Sequence, residues 1–422
     1  MGIDNRIIRG LAVTLIVGAF GGCGETPSSS APDPAPSENL SAEQQLMNAF
    51  AAAQPGSVIE IPAGVHEIRR SLVLDVDDVT IRGTGAGRGE RDSVLTFKNQ
   101  VAGAEGMLLS GDNLVLEGFA IEDTRGDALK INDSKNVIIR AVRTEWTNGP
   151  DVDNGAYGIY PVQVENLLLE ECVAIGASDA GIYVGQSKNV VVRNNLARDN
   201  VAGIEIENTI DADVYENLTE SNTGGILVFN MPDIPQTGER TRVFNNDVRD
   251  NNTANFAAPG TAVSGVPAGS GIMVNSNDLV EIFDNRISGH NTANIVLSSY
   301  YSANYAGQRE LAPGFDPYPE GLNIYSNTFG AGGNQPDRPE LEAIRVALFG
   351  AQGSLPDLIW DGAINPSHNG SLPSDRGICV DNGDAVLLDV DLLNAGANPN
   401  VDMSRYQCEL PKLSAVTLPH AT

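Results

Sequence analysis

The sequence predicts an all-β chain wound as a single right-handed parallel β-helix, a solenoid closed at its start by a short N-terminal capping helix. Three observations predict it: two strand motifs that alternate down the chain, a repeat spacing near 22 or 23 residues, and a turn-rich, acidic composition. The chain has 422 residues, 45 glycines, few aromatics and a formal charge of -29. A count by length would suggest two or three domains. Repeats are the exception, because each coil buries its apolar side against its neighbours.

The first motif is a Gly-Ile strand, seen as AGIYV, AGIEI, GGILV and SGIMV. The second is an apolar strand closing on Asn, seen as VVVRNN, DVYEN, RVFNN, EIFDN and NIYSN. Alternating apolar residues mark strands facing a core. Aligning the second motif places Thr84, Phe119, Val142, Cys172, Asn195, Asn217, Asn246, Asn285 and Asn327 at one position, separated by 35, 23, 30, 23, 22, 29, 39 and 42 residues. A short basic period with longer insertions is the signature of three short strands per coil. The Asn series reads as a stacked amide ladder inside a turn, and Cys172, at the same inward position, as a buried free thiol.

At the start, Arg6 and Arg9 precede an apolar run from Leu11 to Phe20 that is too short to span a bilayer, the pattern of a signal peptide over residues 1–22. Gly21 and Gly22 before Cys23 resemble the lipobox of bacterial lipoproteins, with Phe20 where such signals usually carry Leu. The resemblance implies lipidation at Cys23, and Gly24 after it implies the outer membrane of the cell envelope. Residues 23–40 form a Pro/Ser tether. Ser41 and Gln44 then make a capping box for a helix through Phe50. The β-helix is expected over 41–330, followed by an irregular extension over 331–422 in which RPELEAIRVALFG reads as a short helix. Export makes a disulfide chemically permissible. Three non-lipidated cysteines allow three pairings, of which Cys379 with Cys408 is the easiest to bring together.

The order of helix, turn, strand and Pro-Ala-Gly turn from Ser41 to Gly64 resembles the opening of pectate-lyase-like β-helices. From Tyr157 to Phe256 the run YGIYPV, SDAGIYVGQSKNVVVRNN, NVAGIEIEN, NTGGILVFNMP and NNTANFA resembles a family of exported bacterial parallel β-helix repeat proteins, often lipoproteins, whose function is not established. That resemblance implies a second exported protein related to c-type cytochromes as a partner.

The negative charge argues against nucleic acid and anionic membrane surfaces, both of which need basic patches. In the Gly-Ile strands, alternation sends Lys130, Tyr160, Tyr183, Glu205, Leu227 and Met273 outward in one row. Asn132, Gly185, Glu207, Phe229 and Asn275 form a second. The face is expected to be solvated, polar in its early coils and apolar in its later ones. Insertions at 143–156, with Trp146, and at 231–240 are expected to wall it into a groove, bordered by Asp127 and Asp179. Lys130, Tyr160, Tyr183, Glu205 and Glu207 are chemically sufficient for β-elimination or C5 epimerisation of a polysaccharide: a cation neutralises the uronate, a carboxylate or phenolate takes a proton and a tyrosine returns one. The alternative is a non-catalytic scaffold whose partner docks on Leu227 and Phe229. No cofactor is expected. DVDNG at Asp151 to Gly155 is only a fragment of a calcium loop, so Ca²⁺ has no specific motif behind it.

Overall fold

The computed structural model describes residues 40–302 and 311–419. The signal segment, Cys23 and nearly all of the tether lie outside the described residues.

Each coil contributes three strands, and successive coils stack in parallel. The first row is built from strands such as Ala180–Gly185, Ala202–Glu207, Gly224–Phe229 and Ser270–Asn275. The second runs through Lys188–Arg193, Ile210–Tyr215, Glu239–Phe244 and Asp278–Phe283. The third consists of three-residue strands such as Leu196–Arg198 and Leu218–Glu220. The register matches like with like: Ile182 sits on Ile204, Ile204 on Ile226 and Ile226 on Ile272. One continuous column of Ile, Leu and Val results, fully buried, and it is the core.

The helix α1, Ala42–Ala52, carries both halves of its capping box, and Leu46 and Phe50 close the first coil. It shields apolar surface and strand edges that the first coil would otherwise expose.

The Asn ladder is present. Asn195 Nδ2 donates to Asn217 Oδ1 at 2.9 Å, Asn217 to Asn246 at 3.0 Å, Asn246 to Asn285 at 2.9 Å and Asn285 to Asn327 at 2.9 Å. Each amide oxygen also accepts the backbone N–H of the preceding ladder residue. The residue before each ladder position takes a left-handed φ, as at Asn194 (56°) and Asn245 (54°), which Asn tolerates better than most residues. Cys172 continues the column as a buried free thiol, raised to about 12 chiefly by burial.

A second buried ladder, not read from the sequence, runs Asn200, Asn222, Asn251 and on to His290. It explains the glycine of the Gly-Ile motif. A Cβ at Gly181 would stand 2.6 Å from Asn200 Nδ2, and one at Gly203 or Gly225 would stand 2.8 Å from Asn222 or Asn251 Nδ2. A third ladder of left-handed asparagines, Asn113, Asn136, Asn166 and Asn189, lines the corner between the first two rows.

The solenoid does not stop at 330. Strands Leu358–Trp360 and Leu387–Asp389 continue the first row, and Ile378–Asp381 the second. The period fades in the sequence because helix α2, Pro339–Phe349, and irregular chain are inserted between these strands. Cys379 and Cys408 are joined by a disulfide, and the chain beyond runs back over the second row, where Val416 N donates to Asp213 Oδ2.

Candidate functional site

Lys130, Tyr160, Tyr183, Glu205, Leu227 and Met273 do form one register-matched row on the outside of the first strand row. The face is not solvated along its length. Tyr183 is 4 % exposed, Glu205 1 % and Leu227 0 %. Leu227, Phe229 and Met273 join Val263, Val266 and α2 residues Leu341 and Ile344 in a second apolar cluster, separate from the core. The cover is therefore the segment 252–268 and α2, not the two insertions singled out from the sequence. Trp146, expected on a groove wall, lies in the main core with its Nε1 donating to Thr124 O. The 231–240 insertion packs at the corner between rows, where Gln236 Nε2 donates to Ser187 O and Asn208 O. Burial of Leu227 and Phe229 under the chain's own residues also removes the patch on which a scaffold partner was expected to dock.

What stays open is the early half. Asp127, Lys130, Tyr157 and Tyr160 are half-buried at its rim. Lys130 Nζ lies 3.9 Å from Asp127 Oδ2 and 4.6 Å from the centroid of the Tyr160 ring. Tyr157, Tyr160 and Tyr183 pack as a trio with ring centroids 4.4 to 4.9 Å apart. Behind them Tyr183 Oη donates to Glu207 Oε1 at 2.7 Å, and Tyr157 is hydrogen-bonded to the Asp179 carboxyl.

Tyr157 was missed for a definite reason. Counting by twos from inward Ile159 sends it inward. The alternation breaks at Gly158, whose missing Cβ would stand 2.6 Å from Thr144 Oγ1, and Tyr157 packs instead with the outer cluster. The signal available was the glycine itself, which marks close backbone approach.

The carboxyls divide by environment. Burial raises Asp127 to about 6, opposed by Lys130. Burial raises Asp179 further, to about 8, with repulsion from Glu207 and Asp127 adding to it. Glu205 is pushed well up by burial and by Asp179 and Glu207, and its Oε2 has no hydrogen-bond partner. Burial also raises Glu207, with the Tyr183 hydroxyl opposing. Desolvation keeps the three phenols protonated, with Tyr160 at about 12. At neutral pH the rim thus pairs an ionised Asp127 with Lys130, while Asp179, raised to about 8, holds its proton. The face therefore carries less negative charge than its formal count of four carboxylates. Among the described residues, no group of three His, Cys, Asp or Glu is placed to hold a metal ion.

The family profile for the right-handed β-helix region matches residues 89–235. Among solved structures, the chain is similar to the A-module of the mannuronan C-5 epimerase AlgE4 of Azotobacter vinelandii, at 18 % identity over 69 % of this chain and 84 % of that one, with a TM-score of 0.46. It is similar to a polygalacturonase of Erwinia carotovora at 9 % identity over 72 % and 95 %, with a TM-score of 0.47. A DFA-IIIase of Arthrobacter chlorophenolicus in complex with DFA-III aligns at 14 % identity over 75 % and 86 %, with a TM-score of 0.42. A search of curated proteins finds no match.

Proposed function

From the premise that the chain is a right-handed parallel β-helix protein, we propose that it processes a polysaccharide by acid–base chemistry at the early half of the outward face. The observation that carries this reading is the split in protonation: an ionised Asp127 at the rim beside Lys130, with Asp179 and the phenols holding their protons directly behind. Groups whose environments push their protonation apart are suited to act as base and acid in one reaction.

The chemistry is of the lyase or epimerase kind. Lys130 meets the carboxylate of a uronate residue, and Asp127 takes the proton from C5. In elimination the C4–O bond then breaks as Tyr157, backed by the Asp179 carboxyl, gives its proton to the departing oxygen. In epimerisation the same phenol returns a proton to C5 from the opposite side. The phenols are acids here and not bases, because desolvation holds their protons on. A protonated Asp179 lessens the repulsion that a polyanionic chain meets from a protein of such negative overall charge. Residues 1–22 export the protein in this reading, and acylation of Cys23 anchors it in the outer membrane of the cell envelope.

The test is a screen of purified protein against uronate and neutral polysaccharides with and without Ca²⁺, reading unsaturated ends in the ultraviolet and C5 deuterium exchange by NMR. Activity on a uronate polymer that disappears in Asp127→Asn and Lys130→Ala is the expected result. Turnover that survives both substitutions would sink the site assignment.

A further inference from the structure

We propose that the late half of the same face holds a binding chamber for an acyl chain, with Arg338 at its mouth to receive the chain's carboxylate. Met273, Val296 and Ile359, successive outward residues of the first strand row, form the floor, and Leu341 and Ile344 of α2 form the roof. Between them lies a cavity of about 370 Å³. At about 30 Å³ for each water-sized unit, it holds roughly a dozen non-hydrogen atoms, the bulk of an eight- to ten-carbon chain with its head group. That size falls within the range of small-ligand sites.

The polar groups around the chamber decide which end of a ligand goes where. Asp361 lies at the inner side and is already saturated, accepting from Ser299 N and Oγ, from Ser302 Oγ and from Ala363 N at 2.6 to 3.0 Å. It offers a ligand nothing, and water inside would find few partners on the apolar floor and roof. Arg338, half-buried immediately before α2, donates from Nη2 to Gly265 O, which ties the covering segment to the helix. Among the described residues no carboxylate lies within ion-pair distance of Arg338, so its remaining N–H groups are available in the fork geometry that suits a carboxylate. Glu340 is exposed at the same mouth and opposes an anion, so the carboxylate must sit on the Arg338 side. Two coil steps of about 4.8 Å separate this floor from the Glu205 level, so the chamber stands apart from the carboxylate cluster and its occupancy does not depend on the acid–base reading.

The experiment is calorimetry on the full chain with decanoate, decanol and decyltrimethylammonium, each below its aggregation limit. Decanoate is expected to bind one per chain and more tightly than decanol. Arg338→Gln should weaken decanoate at least about tenfold and leave decanol unchanged, and Glu340→Gln should tighten decanoate. Filling the chamber with Ile359→Trp, or with Met273→Phe should the first variant fold poorly, should abolish binding of both. Absence of decanoate binding at millimolar concentration, equal or tighter binding of the cationic probe, or binding that persists in a folded, filled variant would overturn the proposal.

Discussion

The two halves of the outward face share one backbone and one register, yet one remains half-open and the other is closed. From Lys130 to Glu207 the row carries ionisable and phenolic side chains, and its rim meets solvent. From Leu227 to Ile359 it is apolar, and Val263, Val266 and α2 cover it. Identical strand geometry therefore does not make a groove. Apolar outward residues recruit the chain's own insertions, because leaving them wet forgoes about 25 cal/mol for each Å² buried. The charged rim groups Asp127 and Lys130 do so far less readily, because covering a charge costs more than it returns.

Substitution at the two ends of the row should break this comparison in opposite ways. Lys130→Ala is expected to lower turnover on the order of a hundredfold or more, equivalent to about 3 kcal/mol of barrier, with the unfolding midpoint nearly unchanged. Phe229→Ala, at a position 0 % exposed, should instead cost about 3–5 kcal/mol of stability by leaving a cavity, and denaturant titration measures it. Equal stability losses at both positions would mean that the two halves do not differ in kind.

A smaller effect is expected away from this face, in the Asn ladder between the second and third strand rows. Asn217→Ala removes an amide that donates to Val192 O and Asn246 Oδ1 and accepts from the Asn195 backbone and side chain. Orphaning buried partners of this kind should cost roughly 2–3 kcal/mol, and hydrogen exchange should show the loss concentrated in the flanking coils.

Smaller again is the pH dependence of stability. Folding raises the carboxyls of Asp179, Glu205 and Glu207 above their unfolded values, so between those limits the folded state binds more protons than the unfolded one. Stability from these groups is then fully present below about pH 4 and falls as pH rises toward about 8, where Asp179 ionises. Glu205→Gln should flatten this slope and gain on the order of 1 kcal/mol at pH 8 relative to pH 5. A variant with an unchanged slope would show that Glu205 does not hold its proton in the fold. Activity should follow a bell, lost below about 6 as Asp127 protonates and lost above about 8 as Asp179 ionises.

The solenoid, the Asn ladder from Asn195 to Asn327, the capping helix and the stacking of Lys130 through Met273 in one row were all legible in the amino-acid order. Each rests on short-range periodicity, which alternation and coil spacing carry without knowledge of the rest of the chain. Tyr157 escaped because the alternation breaks at Gly158, and the ladder of Asn200, Asn222 and Asn251 escaped because its period was hidden behind the more conspicuous Asn pairs. Burial of Glu205, the core placement of Trp146 and the continuation of strands past residue 330 were decided only by tertiary structure. Each depends on where a long insertion folds back, and that is set by apolar area contributed by residues far away in sequence. Burial between stacked coils sets the protonation of Asp127 and Asp179. The sequence alone names the carboxyls, and the desolvation that separates acid from base exists only once neighbouring coils have stacked and brought Tyr157, Tyr160 and Tyr183 together beside them.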